Sequence, residues 1–407
     1  MINIAVLGYG TIGSGVIEVL KTNGDSIAKK AGKQINVKYI LDRKEFPGDP
    51  IMEKLVKDFE IILNDPEVKI VVEVMGGVEP AYSYVKAALL NGKSVVTSNK
   101  ELVAKHGAEL LDIAKEKELN FLFEASVGGG IPIIRPLNQS LTADEIVEIT
   151  GILNGTTNFI LSKMSEEESD FDTVLKNAQD MGYAERNPAA DIEGHDACRK
   201  IAILSSLAYG MQVDYEDIYT EGITHITDTD IKYARAMGAR IKLFATSVRD
   251  NDEQVYAMVA PMMIKADHPL YIVNDVFNGI FVRGNVIGDV MFYGSGAGKL
   301  PTASAVVADV VDVAKHLSKN IWTIWSSKKL ELKDISQVKH RFFIRVEGTA
   351  DTSLKNKIKD LFGEVEEVTA DGVDGEYAFL TSLIKEQDIT KIRENLPGIL
   401  NVIRVRF

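Results

Sequence analysis

Residues 2–7 read INIAVL and run directly into GYGTIG at residues 8–13. A short apolar strand, a G-x-G-x-x-G turn and a helical pattern over 13–21 together constrain the fold more than any other feature of this chain. Gly8 permits the tight turn, Gly10 lets the backbone approach a pyrophosphate, and Gly13 allows close helix–strand packing. Backbone N–H groups at the helix start, along Tyr9, Thr11 and Ile12, then face an anion. A generic glycine turn is the bland alternative, and the flanking strand and helix rank it below dinucleotide binding. Further apolar runs at 36–41, 70–74, 94–97 and 120–124 are rich in Val, Ile, Leu or Phe. Strands buried on both faces of a parallel sheet have that composition. Helical patterns at 80–91 and 107–118 separate them, so the alternation predicts an α/β, doubly wound, Rossmann-type nucleotide domain over 1–130.

An acidic residue is expected after the second strand to meet a ribose. Asp42 fills that place, but late, at 42 − 13 = 29 residues past the third glycine, as an insertion around 21–34 would produce. Arg43 and Lys44 follow it. A carboxylate favours a free 2′-hydroxyl and an arginine favours a 2′-phosphate. The basic pair tips the expectation to NADP(H), with NAD(H) as the alternative; Arg43 and Lys44 as plain solvated charges is the competing reading.

The 407 residues suggest two to four domains at about 100–200 residues each. There are 46 Lys+Arg against 59 Asp+Glu, a formal net charge of −13, which argues against nucleic-acid binding. One cysteine, Cys198, excludes an intrachain disulfide framework and a cysteine-rich zinc site, and fits a reducing compartment. No run reaches 18 apolar residues, and the first residues read as a buried strand rather than a secretory signal. The expectation is a cytoplasmic protein without membrane contact.

Residues 131–295 open with IPIIRP, whose prolines bar a long helix, and continue as an α+β region with its own sheet. A glycine-rich turn after 294 leads into an Ala/Val-rich helix over 303–316, read as completing the first domain within about 296–320. Residues 321–339 read as a linker. Residues 340–407 show a strand–helix–strand–strand–helix–strand order, which fits a ferredoxin-like module.

Seven segments in order resemble homoserine dehydrogenases: GYGTIGSG at 8–15, EVMGGVEP at 73–80, TSNK at 97–100, EASVGGGIPII at 124–134, GILNGTTNF at 151–159, GYAERNPAADIEGHDACRK at 182–200 and GSGAGKLPTA at 294–303. The resemblance spans about residues 1–320. It implies NAD(P)-linked interconversion of L-homoserine and L-aspartate 4-semialdehyde, on the route from aspartate to threonine and methionine, in a homodimer whose middle region is catalytic and dimerising. It also extends the cofactor-contacting set beyond the glycine turn to Gly76, Thr97, Ser98, Lys100, Gly182 and Gly296.

Reducing an aldehyde takes a hydride, from the nicotinamide, and a proton, from the protein. A lysine ammonium can both polarise the carbonyl and deliver that proton. Asp196 and Lys200 are four apart on a helical run, which alone describes an ordinary surface ion pair. The resemblance makes Lys200 the proton donor and acceptor and Asp196 its carboxylate partner. It places Lys100, at the carboxyl end of a strand, near nicotinamide and substrate. Two ammonium groups brought together are expected to lower a lysine pKa. Glu185 matches the glutamate that binds the substrate ammonium. Asp191 is placed nearby, as a substrate contact or a helix-capping aspartate.

The glycine bend after Glu124 has no Cys or His, so zinc is not expected. The resemblance implies a sodium ion held by backbone oxygens at Glu124, Val127, Gly129 and Ile131; a bend needed only for turning is an equal alternative. Residues 340–407 resemble a degenerate ACT module, because the loop at 347–351, EGTAD, lacks an Asp-x-Pro-Gly turn. A threonine effector and a mere dimer-stabilising appendage are both open. Aspartate-semialdehyde dehydrogenase handles the same aldehyde but needs an accessible cysteine nucleophile. Cys198, inside a helical run, reads as a small core residue instead. A non-catalytic amino-acid and nucleotide sensor on the same fold is the remaining alternative.

Overall fold

The computed structural model describes residues 1–250, 254–349 and 351–407. Ala350, in the loop compared above with the ACT turn, lies outside them. The first sheet is parallel and six-stranded: β1 (Ile2–Leu7), β2 (Ile35–Leu41), β3 (Leu55–Val56), β4 (Val68–Glu73), β5 (Ser94–Thr97) and β6 (Phe121–Leu122), in the spatial order β3-β2-β1-β4-β5-β6. The order reverses between β1 and β4, and ligands bind at the carboxyl ends of strands at such a switch point. Ile4, Ala5, Val6 and Leu7 are all fully buried, as a strand covered on both faces requires.

Two boundaries differ from the sequence reading. The last strand stops at Leu122, and Glu124–Ser126 forms a 3₁₀ turn, because the Glu124 carboxylate is pulled inward by backbone N–H groups described below. The helix expected over 107–118 begins earlier, at Lys100, where Asn99 caps it by accepting from Leu102 N at 3.2 Å. The stretch read as an insertion folds into its own helix, Gly24–Ala31.

The helix Lys299–Lys315 lies against β1, β4 and the helix Thr11–Thr22. Its Val306, Val310 and Val313 share one core with Ile4, Val6 and Val72. A Cβ at Gly15 would lie 2.8 Å from Lys299 O, so only glycine permits this approach.

The second sheet runs Gly288–Ser295, Phe277–Gly284, Ile146–Ile152, Ala239–Arg249, Val255–Lys265, Ile399–Val405, Lys339–Glu347, Glu376–Leu380 and Glu366–Val368. The sequence predicts separate sheets for the middle and C-terminal regions, and the structure joins them. Strand Ile399–Val405 pairs in parallel with Val255–Lys265 through Met262–Arg404 and Met263–Val405. The C-terminal strands and the helices Thr352–Phe362 and Glu386–Asn395 have the ferredoxin-like order. Buried ion pairs fasten the junction. Arg345 donates to Asp230 Oδ1 at 2.8 Å and to Glu376 Oε2 at 2.7 Å, and Arg404 donates to Glu221 Oε2 at 2.6 Å. The segment 321–339 holds the short strand Ser326–Lys329, paired with Met211–Gln212. None of the helices among the described residues is long and apolar enough to cross a membrane.

Candidate active site

The glycine turn forms a cradle. Gly8 has φ +99°, a Cβ on Gly13 would lie 2.0 Å from Gly8 O, and a Cβ on Gly10 would meet open space. The helix starting at Thr11 has no side-chain cap at Gly10, so its first N–H groups are left for an anion. Tyr9 N is not among them: it donates to Asp42 Oδ2 at 2.7 Å, while Asp42 Oδ1 accepts from Lys44 N at 2.8 Å. Asp42 thus braces the turn from the end of β2. A cavity of about 480 Å³ opens beside it, lined by Gly8, Gly10, Arg43, Lys44, Lys57 and Gly76 among others. Lys57 donates to Arg43 O at 3.0 Å and Lys44 O at 2.7 Å, which brings a third cation to this mouth. These features fit a dinucleotide.

Thr97 is buried, and its hydroxyl donates to Glu73 Oε2 at 2.6 Å and accepts from Asn99 N at 2.9 Å. Ser98 N donates to Glu73 O at 3.3 Å. These contacts hold the end of β5 against β4 and aim the next residue, Lys100, out of the sheet.

Lys100 begins one helix and Asp196 lies in the first turn of another, His195–Tyr209. Their side chains meet at 2.6 Å through Asp196 Oδ1. Asp196 Oδ2 accepts from Lys200 Nζ at 2.7 Å and from Asn154 Nδ2 at 2.9 Å. Asn154 caps the helix Gly155–Glu167 through Oδ1, accepting from Thr157 N at 2.9 Å, and its Nδ2 also donates to Asp191 Oδ1 at 2.7 Å. One carboxylate therefore joins two lysines from two domains, with an asparagine as brace. The ion pair is buried, not the surface pair that spacing alone describes.

An ammonium has three donors. Lys200 gives one to Asp196 and one to Leu153 O at 2.8 Å, and the third has no partner among the described residues. Burial opposes the Asp196 charge, but Lys200 and Lys100 hold its carboxyl well below the usual carboxylate range. Burial likewise opposes the Lys100 charge, and Asp196, with Asp191 and Glu101 behind it, outweighs that and raises its pKa. This corrects the expectation that neighbouring cations lower it: the carboxylate sits between them. Burial first, and then the neighbouring Asp196 charge, push the Asp191 carboxyl up. Asp191 is inside the short helix Ala189–Ile192 and not its cap, which is Pro188.

Glu185 is exposed, and its carboxylate has no hydrogen-bond or ion-pair partner among the described residues. Gly182, also exposed, has φ +77° and precedes Tyr183, whose carbonyl accepts from Thr156 Oγ1 at 2.7 Å at the start of Gly155–Glu167. Gly296 backs onto the glycine bend: a Cβ on Gly129 would lie 2.3 Å from Gly296 O. In that bend the Glu124 carboxylate accepts from Ile133 N at 2.6 Å, Ile134 N at 2.8 Å and Arg135 N at 2.7 Å. Its side chain is spent on backbone. Val127, Gly129 and Ile131 are buried, and their carbonyls accept no hydrogen bond among the described residues. No group of three or more His, Cys, Asp or Glu among the described residues is placed to hold a metal ion.

Cys198 is buried, and its thiol donates to Tyr215 O at 3.3 Å, with burial pushing its pKa up. An attacking thiolate needs the opposite environment. Sequence reasoning does not single out Asn154 or Lys57. The Asn-x-x-Thr spacing ahead of a helical run is a legible cap for Asn154; its hold on Asp191 and Asp196 is not.

The family patterns described as homoserine dehydrogenase, NAD binding domain, and homoserine dehydrogenase match residues 8–124 and 132–311. The homoserine dehydrogenase of Bacillus subtilis (strain 168) is 38% identical over 420 residues, covering 100% of this chain and 97% of that protein. The chain belongs to the homoserine dehydrogenase family. The Synechocystis homoserine dehydrogenase is 47% identical over 318 residues, 77% of this chain and 73% of that one. A solved homoserine dehydrogenase from Thiobacillus denitrificans superposes with a TM-score of 0.92 at 35% identity, covering 100% of this chain and 98% of that chain. A hyperthermophilic archaeal homoserine dehydrogenase mutant solved with NADPH gives a TM-score of 0.65 at 29% identity, over 77% of this chain and 97% of that one. The chain is an NAD(P)-dependent oxidoreductase acting on CH–OH groups, with homoserine and aspartate semialdehyde as the family's substrates. The sensor reading and the thiol route are set aside.

Proposed function

We propose that Lys200 is the proton donor and acceptor of homoserine dehydrogenase chemistry in this protein. The observation that carries this reading is the third donor of a buried ammonium, unpartnered among the described residues, whose other two are fixed by Asp196 and Leu153 O. A bound nicotinamide cofactor supplies or accepts the hydride. Lys200 Nζ donates its free N–H to the aldehyde oxygen and passes the proton to it as alkoxide charge develops. Asp196 holds both ammonium groups in place and keeps that of Lys100 charged. Lys100 directs its own charge at the same oxygen and at the nicotinamide end of the cofactor. Glu185, a carboxylate without a partner among the described residues, takes the substrate ammonium, with Asp191 as a second acceptor.

The cofactor lies along Gly8, Tyr9, Gly10, Thr11, Ile12 and Gly13, reaches past Gly76, Thr97 and Ser98, and meets Gly182 and Gly296 at its nicotinamide end. Arg43 and Lys44, joined by Lys57, favour the 2′-phosphate of NADP(H). The buried, unbonded carbonyls of Val127, Gly129 and Ile131, with that of Glu124, suit a sodium ion. The ferredoxin-like order of residues 340–407 supports an ACT-like module, and a cytoplasmic homodimer completes the reading. The deciding assay follows NADPH oxidation by the purified protein with L-aspartate 4-semialdehyde. Turnover is expected; a folded protein that oxidises no NADPH overturns the reading.

A further inference from the structure

Among the described residues, one buried side-chain polar atom takes no hydrogen bond: Asn278 Oδ1. Asn278 is 2% exposed and stands at the start of strand Phe277–Gly284, paired with Gly294. A buried unpaired carbonyl is costly, and such groups in native proteins call for an explanation.

Its surroundings supply one. A Cβ on Gly155 would lie 3.6 Å from Asn278 Oδ1, and a Cβ on Gly296 would lie 2.0 Å from Asn278 Nδ2. The carboxamide is therefore wedged between two backbones. Gly155 directly follows Asn154, which braces Asp196 and Asp191. Gly296 belongs to the 294–298 turn, whose other side presses on Gly129. Asn278 fills the gap between the lysine–carboxylate cluster and the turn assigned above to the nicotinamide end. Glycine at 296 is required by this contact, since its φ is not positive.

We propose that Asn278 is a positioning residue for hydride transfer: its carboxamide oxygen takes an N–H of the 296–298 turn when a nicotinamide cofactor seats there, which locks that turn at its working distance from the Lys200 cluster. The unmet hydrogen bond of the free protein is then made only in the complex. This rests on the reading of Gly296 as a cofactor contact.

The test is Asn278→Leu, which keeps the side-chain shape and removes the unmet polar group. A purely structural asparagine predicts no specific kinetic effect. The proposal predicts a ligand-free melting temperature equal to or above that of the parent. It further predicts a kcat lower by about ten- to a hundredfold, the scale of a small misplacement of reacting groups. The deuterium isotope effect on kcat with 4-deuterated NADPH should rise as hydride transfer becomes limiting. Parental kcat and isotope effect would overturn the proposal in favour of a buried structural amide. Should the leucine variant not fold, Asn278→Ala reads the same two quantities without overpacking. The underlying reading fails separately: in the Asn278→Ala background, where a methyl at 296 has room, Gly296→Ala that leaves the NADPH dissociation constant unchanged removes Gly296 from the cofactor site.

Discussion

Lys100, at the first position of a nucleotide-domain helix, reaches Asp196, on the first turn of a catalytic-domain helix, at 2.6 Å. The same carboxylate holds Lys200 at 2.7 Å. The two domains thus share one charge cluster around a buried carboxylate, and its geometry depends on how they pack together.

Replacing Asp196 by Asn removes the charge that keeps Lys100 protonated. Burial is then opposed only by the weaker pull of Asp191 and Glu101 on the ammonium, so the alkaline limb of kcat/KM moves to lower pH. Stability follows a separate rule. The folded Asp196 carboxyl is depressed, so its contribution is present above the unfolded value of about 3.9 and is lost as pH falls through the folded value. The parent should lose melting temperature more steeply below about pH 4 than Asp196→Asn. Equal slopes contradict the coupling.

Arg43→Ala should erode a preference for NADP(H) over NAD(H), measured as the ratio of the two cofactor Michaelis constants. Lys57→Met should act in the same direction, since Lys57 lines the same mouth. An unchanged ratio in both variants removes the 2′-phosphate role and leaves these cations as solvated surface.

Cys198→Ser should retain most of the parental kcat. The thiol is buried, donates to Tyr215 O, and burial raises its pKa, so little of it is thiolate. Loss of activity in a protein of parental stability would reopen the thioester route.

Asp230 is fully buried and accepts from Arg345 at 2.8 Å and from Asn401 Nδ2 at 2.7 Å, while it also closes a capping box with Thr227. Asp230→Ala leaves a buried guanidinium short of a partner and should cost about 3–5 kcal/mol of stability. Denaturant unfolding measures it. A loss within experimental error would mean that the C-terminal module is held by its sheet pairing alone.

The glycine turn and its strand and helix were legible because they lie within 21 residues, Ile2 to Thr22, and have one physical purpose. The Asp196–Lys200 pairing was legible for the same reason, as an i,i+4 spacing. Its burial was not, since Asn154, Leu153 O and Lys100 arrive from distant segments. The bend after Glu124 was legible as glycine-rich and without Cys or His; that the Glu124 carboxylate turns inward to the N–H groups of Ile133, Ile134 and Arg135 was not, because those groups lie nine to eleven residues on. The merging of two sheets at Met262–Arg404 had no local signal, because strand register between remote segments is set by the packed whole.

The most direct test of the proton-transfer assignment is the turnover of Lys200→Ala with L-aspartate 4-semialdehyde, alongside a fluorescence titration of NADPH binding. The expected result is a kcat lower by about 10²–10⁴, the usual worth of a positioned general acid, with an unchanged NADPH dissociation constant. A variant that binds NADPH normally and keeps more than about a tenth of the parental kcat, far short of the loss a general acid predicts, would contradict it.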